Sequence, residues 1–306
     1  MTAFVLLSRR SPAVPFPPGS APVPGGCAAV PHACGFPDAT NTGVPRGTRL
    51  RKVPGQVSSG PGWYFDARGW VQVDRRGTVL SGLSIPCNVN VAASDVTIRD
   101  DRIAVAGNTF GVSVRHTRNV TIEDSTISGL GAGAGRLMVG IKDIYADSTG
   151  LTVLRNNISE VSTGVQMESG LVASNYIHDM GYVPGDHTNG ITSNGGRTGR
   201  LTVRYNTIFT NRQQTDAIGL FEDFGTQANR IIDDNLLAGG GYAIYGGQNP
   251  GGPATSRIVV ENNRISRIYY PDGGFYGPAA DFDPHAAGNI WSGNVWDRTG
   301  SPVVAP

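Results

Sequence analysis

The stretch Leu201-Thr202-Val203-Arg204-Tyr205-Asn206-Thr207-Ile208 decides the fold. It reads apolar, polar, apolar, then two positions, an Asn, one position and an Ile. The phrase returns as Leu151-Thr152-Val153 with Asn156 and Ile158, and as Ile258-Val259-Val260 with Asn263 and Ile265. Shorter copies carry Asn175 and Ile177, Asn235 and Leu237, and Asn294 and Trp296. Two early copies, Val96-Thr97-Ile98 and Val120-Thr121-Ile122, place Asp101 and Ser125 at the Asn position, followed by Ile103 and Ile127. From Asp101 to Asn294 the markers are 24, 31, 19, 31, 29, 28 and 31 residues apart. Strand-like alternation at such a period is the mark of a solenoid, in which each coil buries its apolar residues against the next.

The recurrent Asn has two physical uses. A sharp bend between strands needs a residue that tolerates left-handed backbone angles, and Asn is the best choice after Gly. Stacked coils also let each Asn amide bond to the coils above and below it, as in cross-β ladders. Both uses predict a β-helix rather than an Asn-rich loop protein, because the apolar residues stay in phase with every marker.

Composition agrees. The chain has 306 residues with 43 Gly and 20 Pro, and only 16% are charged, a turn-rich all-β profile. A formal net charge of +1 points away from nucleic acid and from acidic membrane surfaces. No apolar run reaches the length of a membrane span. Residues 1–33 are Pro-rich and read as a flexible or targeting segment, and 34–306 as the β-helix domain. Phe4-Val5-Leu6-Leu7 is too short for a signal-peptide core. Of Cys27, Cys34 and Cys87, the Cys34–Cys87 pair is the expected disulfide, since both flank the start of the ordered region.

The opening phrase Cys34-Gly35-Phe36-Pro37-Asp38-Ala39-Thr40-Asn41-Thr42-Gly43-Val44-Pro45 resembles secreted actinobacterial right-handed parallel β-helix proteins. The likeness continues through Leu80-Ser81-Gly82-Leu83 and Asp95-Val96-Thr97-Ile98. It implies a single-stranded right-handed parallel β-helix of the pectate-lyase-like kind, of about seven to eight coils, extracellular and monomeric. In such proteins the glycan lies along one sheet and the loops that precede it. A polysaccharide is therefore the expected partner.

Each coil also holds a second strand, aligned on a Gly or Ala followed by an apolar residue: Gly111, Gly140, Gly164, Gly190, Ala217 and Ala243. Period-two alternation predicts an outward column Ser113, Lys142, Gln166, Thr192, Gly219, Tyr245. A second outward column holds Arg115, Ile144, Glu168, Asn194 and Phe221. The column just before the Gly holds Phe110, Val139, Thr163, Asn189, Asp216 and Tyr242. Long loops at 128–138, 178–188, 209–216 and 266–281 flank a short one near 159–162, which predicts a groove over this sheet.

Three chemistries compete for that groove. Asp186, His187 and Asp216 suggest hydrolysis. The two acids are expected roughly 10 Å apart at the backbone, within reach of the roughly 6.5–9.5 Å carboxyl separation of inverting glycosidases. Polygalacturonases carry Asn-Thr-Asp-Gly-Ile, then Asp-Asp-Cys-Ile, then Gly-His-Gly on successive coils. The matching positions here are His187-Thr188-Asn189-Gly190-Ile191, Thr215-Asp216-Ala217-Ile218 and Gly241-Tyr242-Ala243, so only Asp216 keeps an acid and that mechanism does not transfer whole. Lys142 suggests β-elimination instead, because a half-desolvated Lys can serve as base beside a uronate. Glu168 is its expected ion-pair partner. The third reading is a glycan-binding or surface protein without catalysis, using Gln166, Glu168, Asn189, Thr192, Asn194, Phe221, Tyr242 and Tyr245 only for recognition. Hydrolysis leads, followed by elimination. Glu222-Asp223 and Asp281-Phe282-Asp283 are the acids that could hold Ca²⁺.

Overall fold

The computed structural model describes residues 25–306, with Ala132, Thr198 and the Ala134 side chain left aside. The Pro-rich stretch 1–24 lies outside the described residues. The chain is an all-β, single-stranded right-handed parallel β-helix of roughly seven to nine turns. Each turn contributes one short strand to each of three sheets. Sheet I has ten strands, sheet II eleven and sheet III nine.

The repeat phrase supplies sheets III and I. In sheet III, Ile98, Ile122, Val153, Val172, Val203, Ile232 and Val260 lie in register and are buried. In sheet I, Ile103, Ile127, Ile158, Ile177, Ile208, Leu237 and Ile265 do the same. Sheet II adds Val112, Ile141, Val165, Ile191, Ile218 and Ile244. Each such side chain contributes about 1.5–3 kcal/mol of burial, so the three aliphatic stacks are the main source of cohesion.

The Asn positions form the expected ladder between sheets III and I. From Asn156 to Asn263 each amide nitrogen donates to the Oδ1 of the next Asn, and each backbone N–H donates to that same oxygen. Each amide also reaches a carbonyl of the preceding coil, as Asn206 does to Val172 at 3.0 Å. The left-handed bend, however, is one residue earlier than the sequence reading placed it. Asp100, Asp124, Arg155, Ser174, Tyr205, Asp234, Asn262 and Gly293 all have positive φ, each directly before a marker. The markers are thus retained for their hydrogen bonds, and the bend is made by whatever residue precedes them.

The Cys34–Cys87 expectation is corrected: the disulfide joins Cys27 to Cys34, and Cys87 is a buried free thiol. Two short 3-10 turns, Cys27–Ala29 and Pro31–Cys34, bring the paired Cα atoms to 5.6 Å. Cys87 belongs instead to the interior of the first coils. Ordered structure accordingly begins before Cys34. Residues 25–50 form a strap down the outside of sheet I. Asp297 accepts the N–H groups of Cys27 and Ala28 at 3.0 and 2.9 Å. Phe36 packs with Phe209, Leu236 and Ala238. Gly43 then bonds Arg155, Val44 bonds Thr126, and Arg51 joins the first strand of the sheet. An antiparallel pair, Trp63–Phe65 with Val71–Val73, extends sheet II at the start of the solenoid. Trp291 and Trp296 pack against the core at its end, Trp291 donating to the Val303 carbonyl at 2.8 Å. Among the described residues no helix is long and apolar enough to cross a membrane.

Candidate functional site

Sheet II has the register the repeat predicts. Ser113, Lys142, Gln166, Thr192, Gly219 and Tyr245 are successive Cα partners, as are Phe110, Val139, Thr163, Asn189, Asp216 and Tyr242. Both columns lie on the outer face because the backbone kinks at the intervening small residue. A Cβ on Gly140 or Gly164 would point inward, against the next coil's carbonyl oxygen and the Ile of sheet I. Two consecutive inward positions are therefore flanked by outward ones, and only Gly or Ala fits the first of them.

Asp216 is the most unusual of these residues. It is 0% exposed, and among the described residues neither carboxylate oxygen has a hydrogen-bond partner. Its carboxylate lies over Gly219, in the space a Cβ would fill, with the Phe221 ring beside it. Burial alone drives its pKa well above the ordinary 3.8. Tyr245 is pushed up to about 12, first by its own burial and then by the Asp216 charge. Asn189, one strand below, also keeps a buried Oδ1 without a partner, while its amide donates to Thr163 at 3.3 Å.

Aromatic rings fan out from Asp216. Phe221 and Tyr245 are 5.5 Å apart by centroid, Tyr242 and Tyr245 5.2 Å, and Tyr242 and Tyr276 5.8 Å. Tyr276 is 65% exposed, so the series runs from the sealed acid to open solvent.

Asp186 has its carboxylate engaged by other partners. Its carboxylate accepts two bonds from Arg136, both 2.7 Å, one from Ser162 at 2.6 Å and one from the Val183 N–H at 3.0 Å. These bonds hold it near pKa 2 despite partial burial. Ser162 belongs to the strand two places before that of Asp216, about 10 Å away by strand spacing. Arg136 also reaches Asn108 at 2.8 Å, so one buried guanidinium ties three loops together. His187, next to Asp186, is exposed.

Lys142 is half-buried, its ammonium 5.7 Å from the Phe110 ring centroid, and burial lowers its pKa. The expected partner, Glu168, is elsewhere. Beyond Met167 it turns into the corner of the coil, where it accepts bonds from Ser193, the N–H groups of Asn194 and Gly195, and buried Arg230. The sequence does carry a signal for this. Arg230 occupies the inward position filled by Leu201 and Ile258 in neighbouring coils, and a charge there requires a buried counter-charge. Glu168 and Asn194 thus shape the corner, with Asn194 also accepting from Thr192 at 3.3 Å.

Among the described residues no group of three or more His, Cys, Asp or Glu is placed to hold a metal. A polar hollow of about 600 Å³, lined by Asp74, Arg76, Asp95, Arg118 and Asn119, lies away from Asp216, and Arg76–Asp95 and Asn119–Asp95 bonds cross its lining. No family model matches the chain, and no curated protein matches it in sequence. The fold therefore rests on the structure itself, and the chemistry on the residues.

Proposed function

We propose that the outer face of sheet II binds an extracellular polysaccharide and cleaves it by hydrolysis, with Asp216 as proton donor. The observation that carries this reading is the unpartnered, buried Asp216 carboxyl beside sugar-sized aromatic surfaces. A carboxyl whose protonated form is favoured by burial can protonate a leaving oxygen. Flat rings such as Tyr242, Tyr245 and Tyr276 cover the apolar faces of pyranoses. Turning of Phe221 or Tyr245 admits the glycosidic oxygen to Asp216.

His187 supplies the base. It sits two residues before Asn189, the strand partner of Asp216, and its exposed imidazole can take a proton from water. The water oxygen then bonds to the anomeric carbon as the glycosidic bond breaks. The departing oxygen leaves with the Asp216 proton. Asp186 acts by position: bound to Arg136, it fixes the loop that presents His187. The Cys27–Cys34 disulfide suits an oxidising, extracellular setting.

Lys142 supports a second reading, β-elimination, because it is half-buried on the same face with no carboxylate partner among the described residues. Incubation with a panel of neutral and uronic polysaccharides separates the possibilities. Hydrolysis releases reducing ends without unsaturated, ultraviolet-absorbing products, and His187→Ala lowers the rate about 10²-fold or more. Unsaturated products lost in Lys142→Ala would replace hydrolysis by elimination. Binding without any product would leave only a recognition face.

A further inference from the structure

The Phe221 ring and the Asp216 carboxylate share one space. Both lean over Gly219, where a Cβ would overlap the carboxylate and the ring together. Gly219 is the one member of its column without a side chain, since Ser113, Lys142, Gln166, Thr192 and Tyr245 occupy the other places. Only a glycine leaves room there for an acid to fold back and a ring to close over it.

The backbone beneath that ring is tied down. The Phe221 N–H donates to the Ser193 carbonyl at 2.7 Å, and the Gln227 amide donates to the Phe221 carbonyl at 2.5 Å. The Phe224 N–H donates to the Asn194 carbonyl at 3.0 Å. Gln227 is itself held inside the corner of the coil. It is fully buried, and its amide also donates to the Ser193 carbonyl at 2.9 Å. Its Oε1 accepts from Arg230 at 2.8 Å and from Ser193 at 3.2 Å, and Glu168 closes the set on the same Arg230 and Ser193. Lifting this loop would strand polar groups in the interior. The half-buried ring carries no such tie and can turn about its own side-chain bonds.

We infer that Phe221 is a rotating lid over Asp216, and that Gln227 is the positioning residue that fixes its hinge. The lid opens by side-chain rotation and not by loop movement, so the acid stays sealed from water until a ligand displaces the ring. Its use in catalysis rests on the hydrolytic reading above. From the next strand Tyr242 and Tyr245 face Asp216, with Tyr276 and Asp281 beyond Tyr245; from the preceding strand Asn189 faces it and does not titrate. The cover, rather than a neighbouring charge, therefore governs when Asp216 holds its proton.

The test is titration of the Asp216 carboxyl in the full chain by carbon-13 NMR of labelled aspartate, its signal assigned by loss in Asp216→Asn. Phe221→Ala should lower the midpoint by about one pH unit or more, roughly a tenfold change in the protonation constant. Phe221→Leu should keep most of the parent value. Phe224→Ala, which removes an exposed ring from the same loop, should leave it unchanged. Gln227→Met deletes the donors to Phe221 and Ser193; it should speed hydrogen exchange of the Phe221 amide by about tenfold or more and lower the midpoint by less than Phe221→Ala does. A midpoint unmoved in Phe221→Ala, or moved equally in Phe224→Ala, overturns the lid. A Phe221 amide that exchanges no faster in Gln227→Met overturns the hinge. Should glycans be cut while Phe221→Ala titrates as the parent does, the lid falls and hydrolysis stands. Should the midpoint move as expected and no glycan be cut, the lid stands and hydrolysis falls.

Discussion

Two kinds of column climb this solenoid under the same register, and they have opposite character. The inner one, Asn156 to Asn294, is chemically uniform, buried and closed, every amide up to Asn263 bonded to the next coil. The outer ones on sheet II, Ser113 to Tyr245 and Phe110 to Tyr242, change residue type at every step and, among the described residues, leave Lys142 without an ion pair and Asp216 without a hydrogen bond. Repetition is what the fold needs, since a β-helix coil has no stability apart from its neighbours. Departure from repetition costs least where the side chain faces outward, whereas an inward departure such as Arg230 needs a buried counter-charge.

The largest effect should come from placing a defect inside. Arg230→Met leaves Glu168 buried without its cation and should cost about 3–5 kcal/mol by denaturant unfolding. Adding Glu168→Leu should recover much of that loss, because it removes the stranded charge. Failure of the double variant to recover would show that Glu168 matters for the Asn194 and Gly195 N–H groups more than for Arg230.

Asn206→Ala tests the ladder itself. It removes donors to Val172 and Asn235 and the acceptor for Asn175, a loss of about 3 kcal/mol by the cost of orphaned buried groups. A change under half that size would mean the aliphatic stacks hold the coils together without it.

The early ladder gives a smaller effect of opposite sign. Asp101 stands at an Asn position, its Oδ1 accepting from Leu83 at 2.7 Å and its Oδ2 buried without a partner. Burial raises its pKa from 3.8 to about 7, so the folded state holds a proton that the unfolded state has released. The stability it contributes is therefore full below about pH 4 and declines as pH rises toward 7. Asp101→Asn carries a permanent donor. It should be more stable than the parent by about 1–2 kcal/mol at pH 8, with the gap narrowing toward pH 4. A gap independent of pH would separate the effect from Asp101 ionisation.

These contrasts also explain what could be read from the chain alone. The Asn206 phrase fixes the period, and the period fixes which residues stack, so the aliphatic columns and the outer column through Lys142 and Thr192 were legible. Pairings that depend on irregular corners were not. Glu168 finds Arg230 across 62 residues and Asp186 finds Arg136 across 50, through loops whose paths the repeat does not specify. The Cys27–Cys34 bridge was missed because its segment lies outside the repeat, and the strap that orders it is recognised only through contacts such as Asp297 with Cys27. Asp216 was identified as an acid on the face, but its sealing beneath Phe221 depends on the missing side chain at Gly219, visible only once the columns are assembled.

The central claim is that the outer column carries function separably from the fold, and Asp216→Asn tests it most directly. Asn matches the protonated acid in shape but cannot deliver its proton. One preparation, assayed for both thermal unfolding and reducing-end release at neutral pH, should melt within a few degrees of the parent and lose about 10²-fold or more of its activity. Full activity in that variant, or collapse of the fold with it, would contradict the account.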